Sequence, residues 1–178
     1  MATGPVIAFR ALKTLSGMSV PRQDFPEAAT QTFKAGAPVY LNLGYLNECG
    51  ANPQLIMGIA SRDGQSGSAA GAKTQTVVLA HPDTLFIGNL DASAALTGTG
   101  AATDRGKMYG ITKHASNGKW SVDTDKAVAA TSRVVVWDLY DQLISGSTGS
   151  GVEPAWTDTT PVVVFSFGNT FYQGYRTS

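Results

Sequence analysis

Apolar and polar positions alternate over short stretches of this chain and rarely recur at a spacing of three to four. A period of two marks half-buried β-strands. Candidate strands occupy residues 6–15, 30–33, 38–46, 55–61, 74–80, 84–88, 107–113, 120–123, 133–140 and 162–167, and residues 171–175 form a further short one. Breakers separate them. Ala35-Gly36-Ala37-Pro38 and Asp63-Gly64 read as turns, and His81-Pro82-Asp83 parts two apolar runs. Ser116-Asn117-Gly118 is the strongest hairpin signal, because Asn-Gly readily takes the positive φ angles of a type I′ turn. Short strands at this spacing predict an all-β fold, a compact β-barrel or β-sandwich with little helix.

Two runs, Val134-Val135-Val136-Trp137 and Val162-Val163-Val164-Phe165, are too apolar for strands with one wet face. They predict central strands, with Trp137 in the core. Helix signals are few. Asn52-Pro53 has the N-cap and first-position pattern of one turn. Leu139/Leu143 and Tyr140/Ile144 stand at i,i+4, which suits either a helical turn or continued strand. Residues 16–29 carry Pro21 and Pro26, each of which removes a backbone donor and disfavours helix before it. The expected organisation is therefore an extended N-terminal arm over residues 1–29 and a single β domain over residues 30–178. Residues 64–72, 92–105 and 145–151 are rich in small residues and predict flexible loops. No repeat of solenoid or propeller period is present.

Composition narrows the classes further. Ala, Gly, Thr and Ser make up 76 of the 178 residues, and charged residues 15%. The average globular chain has roughly 25% charged residues. The 13 basic and 13 acidic residues cancel. That balance gives no basic footprint for a nucleic-acid backbone. No apolar stretch is long enough to span a membrane as a helix. The start, MATGPVIAFRALK, lacks the charged and apolar regions of a secretory signal. The one cysteine, Cys49, excludes an internal disulfide and reads as a small packed side chain.

The chemical motifs are near misses. Ala101 to Met108 imitates a phosphate loop, but Ala101 stands where Gly is needed and Met108 where a hydroxyl would hold Mg²⁺. His81 and His114 lie in no metal-binding pattern and read as loop and surface residues. Asp123-Thr124-Asp125 has too few acids for a calcium loop. Gly64-Gln65-Ser66-Gly67-Ser68 misplaces the second glycine of a nucleophile elbow. A triad assembled in space stays open at this point, but no catalytic residue, metal or cofactor is assigned. Tyr40, Tyr45, Tyr109 and Trp120 are candidate base stackers with few cations near them. Trp120, Trp137 and Trp156 are candidate platforms for carbohydrate.

Contact remains as the activity to expect. The run from Phe165 to Tyr175 holds five of the thirteen Phe and Tyr residues. Interior packing and a subunit or partner surface are both open for it. Met18, Val20 and Phe25 are apolar residues on the expected arm. Together with Phe9, Arg10, Arg22, Phe171, Tyr172 and Tyr175 they form the candidate contact set.

Four segments carry a resemblance. They are Phe33-Lys34-Ala35-Gly36-Ala37-Pro38-Val39, Ile56-Met57-Gly58-Ile59-Ala60-Ser61-Arg62-Asp63, Gly106-Lys107-Met108-Tyr109-Gly110-Ile111-Thr112-Lys113 and Gly118-Lys119-Trp120-Ser121-Val122-Asp123. With the late Arg133-Val134-Val135-Val136 and Val162-Val163-Val164-Phe165-Ser166-Phe167 strands, the chain resembles capsid decoration, or cement, proteins of tailed bacteriophages over residues 33–167. The resemblance implies a virion structural protein, made in the host cytoplasm and seated on the outer capsid surface. It implies a trimer bound across junctions of the major capsid protein, and it brings no catalytic residues or cofactor. Residues 16–29 lie outside it, and their expected role is to grip the capsid. The other readings are a head-completion, tail or fibre-associated part of a virion, or a carbohydrate-binding β module.

Overall fold

The computed structural model describes residues 7–50, 53, 55–92, 100–127, 133–140 and 161–168. They form eleven strands: β1 (Arg10–Thr14), β2 (Arg22–Pro26), β3 (Pro38–Asn42), β4 (Tyr45–Glu48), β5 (Gly58–Ala60), β6 (Thr74–Leu79), β7 (Thr84–Asp91), β8 (Met108–Lys113), β9 (Trp120–Asp123), β10 (Val134–Leu139) and β11 (Val162–Phe167). The helical content among the described residues is one 3₁₀ turn, Ala102–Asp104. The fold is all-β, as the alternation predicts. No helix among the described residues is long and apolar enough to cross a membrane.

One sheet runs β1-β7-β11-β10-β8-β9. Its last strand returns to β7 through the parallel pairs Leu90↔Val122 and Asp91↔Asp123. Strands β7, β11, β10, β8 and β9 thus close a five-stranded barrel, and β1 pairs with the first half of β7 beside it. Closure removes the sheet edges that would invite other chains. The second sheet runs β2-β6-β5-β3-β4. A single parallel bridge, Glu27↔Leu46, joins its two ends.

Side chains from both sheets meet in one continuous core. Val39, Leu46, Ile59 and Val77 from the second sheet pack with Phe86, Ile111, Val122, Val136 and Phe165 from the barrel. Glu48 ties the sheets at their rim. It accepts Trp120 Nε1 at 3.1 Å and Lys113 Nζ at 2.7 Å.

Strand β7 is buried at all eight positions, and two layers explain this. Phe86 and Leu90 face the main core. Leu85 and Ile87 face a smaller cluster with Val164, against which Ile7 and Leu12 pack. The N-terminal segment therefore covers the second face of β7. It also sends Phe9 inward, where the ring packs edge-on to Phe165 at 4.9 Å and Phe167 at 6.3 Å. Gly88 makes room for it: a Cβ there would overlap two ring carbons of Phe9.

This corrects the expected arm. Residues 10–14 and 22–26 are paired strands, not an extended appendage. Pro26 is tolerated because it ends its strand, where the missing N–H breaks no ladder. Other expectations also change. Residues 30–33 form no strand, since Thr30 turns the chain at φ 57°. The expected strand 38–46 is two strands, reversed at Leu43 (φ 50°) and Gly44 (φ 84°). The loop at 64–72 is not loose. Gly64, Ser66 and Gly71 amides donate to carbonyls of Phe33, Gln31 and Glu27. Around Asn117-Gly118 the chain does reverse between β8 and β9, but Gly118 takes positive φ and Asn117 does not, so the turn is not type I′. Asn52, 93–99 and 141–151 lie outside the described residues, as do Leu143, Ile144 and Trp156.

The valine runs do form core strands: Val134, Val136, Val163 and Phe165 are fully buried. Trp137, expected in the core, is 47% exposed. Strand alternation puts it on the same side as Val135, outside the barrel. A run of valines buries the alternate residues and leaves the next large one facing out.

The Phe9–Gly88 packing gives a measurable consequence. Phe9→Ala should cost about 3–5 kcal/mol in urea denaturation, as buried aromatics do. Gly88→Ala should destabilise through the clash, by about 1–3 kcal/mol. In the double variant the clash disappears, so its loss should be smaller than the two singles added. Strict additivity would mean that the ring and Gly88 do not meet.

Candidate functional site

The candidate contact residues divide by burial. Phe9 is a core residue and leaves the set, because its ring is enclosed by Phe165 and Phe167. Val20 and Phe25 are half-buried and pack against the core. Arg10, Met18 and Arg22 are exposed. Phe171, Tyr172 and Tyr175 lie outside the described residues. Of the C-terminal aromatics, Phe165 and Phe167 are interior. The stacking candidates also separate: Tyr109 and Trp120 are buried, Tyr40 is half-buried and Tyr45 sits at the margin of exposure.

What the described surface presents is a set of large apolar side chains on turns. Met18 is 73% exposed and Leu15 54%. Both sit on the turn from β1 toward β2, and that turn is anchored. Leu15 N donates to Asp83 O at 2.8 Å, and Ser16 Oγ donates to Asp83 Oδ2 at 2.7 Å. The Ser16 hydroxyl, with His81 behind it, holds the Asp83 carboxyl below its ordinary value. Thr14 Oγ1 closes the turn on Met18 O.

The second apolar turn is sharper. Leu43, at the tip between β3 and β4, is 92% exposed and in the left-handed region. An L-residue with a branched side chain is uncommon there. Solvent exposure and backbone strain both argue against Leu on stability grounds alone. The sequence signal was slight, an apolar residue before Gly44 inside one alternating run. On the barrel's outer face, Met108 and Trp137 are each 47% exposed. Met108 stands opposite Val135, and Trp137 Nε1 donates to Ser166 Oγ at 2.9 Å.

The buried polar groups form a second kind of cluster. His114, expected at the surface, is buried. Its Nε2 lies 2.9 Å from Ser121 Oγ and 3.5 Å from Asp91 Oδ2. Both partners meet the same ring nitrogen. A hydrolytic triad sets its serine and its acid on opposite nitrogens and opens the serine to substrate. Ser121 and Asp91 are fully buried, so this arrangement braces the β7–β9 junction. His81 instead faces solvent and contacts Asp83. No group of three or more His, Cys, Asp or Glu could hold a metal ion among the described residues.

A third polar knot ties the 3₁₀ turn to the barrel. Tyr109 Oη donates to Asp104 Oδ1 at 2.6 Å, and Ala101 N donates to Oδ2 at 2.7 Å. Burial alone would raise the Asp104 carboxyl; the Tyr109 hydroxyl, the Ala101 amide and Lys107 outweigh it and lower it. Burial first, then the Asp104 carboxylate, pushes the Tyr109 phenol up. Cys49 is a buried packed residue, its thiol pushed up by burial and by Glu48.

The chain matches no family model, no curated protein and no solved structure.

Two measurements follow from these groups. The lowered Asp104 carboxyl stabilises the fold above its ordinary value of 3.8, and that contribution is lost as pH falls through the lowered folded value. The stability gap between wild type and Asp104→Asn should narrow as pH is taken from about 6 to about 2. A gap constant with pH would show that the carboxylate charge is not what the knot uses. Cys49 should resist an aromatic disulfide reagent at neutral pH in native protein and react in one phase after urea unfolding. Rapid labelling of native protein would place the thiol outside the core.

Proposed function

We propose that this chain is a virion structural protein that decorates and stabilises an icosahedral bacteriophage capsid. The observation that carries the reading is the pair of anchored turns presenting Leu15, Met18 and Leu43 to solvent. Exposed large apolar residues held on short, hydrogen-bonded turns suit insertion into a partner surface, where Met in particular is enriched. The resemblance of residues 33–167 to cement proteins supplies the partner, the major capsid protein, and favours a trimer across capsomer junctions. Zero net charge suits crowding of many identical copies, which large like charges would oppose. Weak single contacts add up when a shell offers many sites. The gripping role moves from a loose arm to the turn between β1 and β2.

Head-completion, tail and fibre-associated proteins share the all-β character and differ in copy number and position. A second reading, a carbohydrate-binding module, is favoured by Trp137, whose exposed indole is fixed through Ser166. A half-open aromatic face of that kind suits stacking on a sugar ring. Trp120 does not contribute, being buried.

The test is a reconstruction of the native particle combined with binding of variants. Copies spread over the shell at capsomer junctions are expected. A few copies at one vertex or along the tail would sink the decoration reading. Met18→Asp with Leu43→Asp should keep the melting temperature and lower shell occupancy at least about tenfold, the scale of losing two apolar anchors. Unchanged occupancy would remove these turns from the interface, and loss of glycan binding on Trp137→Ala with shell occupancy unchanged would favour the carbohydrate reading.

A further inference from the structure

Six chain segments meet around a cleft of about 530 Å³ at the junction of the two sheets. They are residues 7–11 leading into β1, the head of β2, the Ala35-Gly36 turn, β5 through Ser61, Val78 of β6, and Lys119 before β9. The size is that of a small-molecule site. Phe9, Ile59 and Val78, all buried, supply apolar surface. Gly36 keeps the wall thin, since a Cβ there would overlap the Phe9 backbone.

The charge on this cleft is one-sided. Arg10, Arg22 and Lys119 line it, and no Asp or Glu does. Several cations elsewhere on the described surface pair with acids: Lys34 with Asp63, Arg105 with Asp138, Lys107 with Asp104, Lys113 with Glu48. The side chains of Arg10 and Arg22 make no hydrogen bond or ion pair with any described residue. Both stand on paired strands, Arg10 opposite Ile87 and Arg22 opposite Val78, so their backbones are fixed. Two arginines on paired strands, unpartnered among the described residues and lining a cleft beside buried apolar side chains, suit a ligand with an anionic head and a carbon body. A guanidinium fork binds a carboxylate or phosphate through two parallel hydrogen bonds.

We propose that this cleft binds a small organic anion bearing a carboxylate or phosphate group, held by Arg10 and Arg22 with Lys119 adding charge. The site is separate from the exposed apolar turns and stands whichever partner those turns meet.

The full chain is titrated with citrate and with inorganic phosphate in low-salt buffer, by calorimetry and by amide chemical shifts. Saturable binding of one citrate per chain is expected, with the largest shifts at Gly36, Ile59 and Arg22. Arg10→Gln and Arg22→Gln should each weaken citrate about tenfold, as lost charge-assisted bonds do. Lys73→Gln removes an exposed cation that does not line the cleft and should leave the affinity unchanged. Phosphate binding as tight as citrate would assign the recognition to one anionic group; weaker phosphate binding would assign part of it to citrate's further carboxylates, reached by more than one of the cations. Absence of binding by both probes overturns the proposal. So does equal weakening by Lys73→Gln, or shifts confined to residues away from the cleft, an outcome readable even if an arginine variant fails to fold.

Discussion

The molecule depends on one side chain crossing one gap. Phe9 passes over Gly88 and joins Phe86, Phe165 and Phe167 in the main core. That insertion fastens the N-terminal segment to the middle and to the end of the described chain at once. Around it, Ile7 and Leu12 cover the face of β7 that the main core leaves bare. Without the segment, Leu85 and Ile87 would face water, and exposed apolar area of that kind destabilises at about 25 cal/mol per Å². The N-terminal residues are thus part of the body of the fold. The same placement builds the junction cleft, since residues 7–11 form one of its walls.

Much of this architecture was legible in the alternation of side chains. Strands β6, β10 and β11 fall where Val-rich runs predict them, because β-branched residues fit a pleated, packed surface. The Asn117-Gly118 reversal lies between β8 and β9 as its residues suggest. Misreadings share a cause: a local signal was overruled by a partner distant in sequence. Pro21 and Pro26 suggest an irregular arm, yet β2 between them pairs with β6 through residues about fifty positions away. The small residues at 64–72 suggest looseness, yet their amides are claimed by carbonyls at 27–33.

The candidate contact site was harder to see, for a different reason. Apolar residues in a β pattern are assigned to the interior by default, and Leu43 and Trp137 have the composition of core residues. Their exposure follows from which side of a turn or strand they occupy. For Trp137 a strict alternation from Val134 already points outward. For Leu43 only the following glycine hints at the reversal, since positive φ at a leucine has no signature of its own. His114 errs in the opposite direction: a lone histidine suggests the surface, and the approach of groups such as Asp91 and Ser121 makes its burial tolerable.

Strand β7 touches three partners: β1 from before it, and β9 and β11 from after it. A ribosome delivers these in order, so β7 emerges with its first neighbour in place and its others unmade. Its eight residues, all buried in the finished protein, stay partly uncovered until residue 167 is available. Completion of the fold is therefore an event of the whole chain and not of any early part. Such long-range pairing folds slowly and leaves apolar strand exposed meanwhile. A protein of this topology synthesised in large numbers passes through a crowded interval in which its own unfinished copies are its most abundant competitors for pairing.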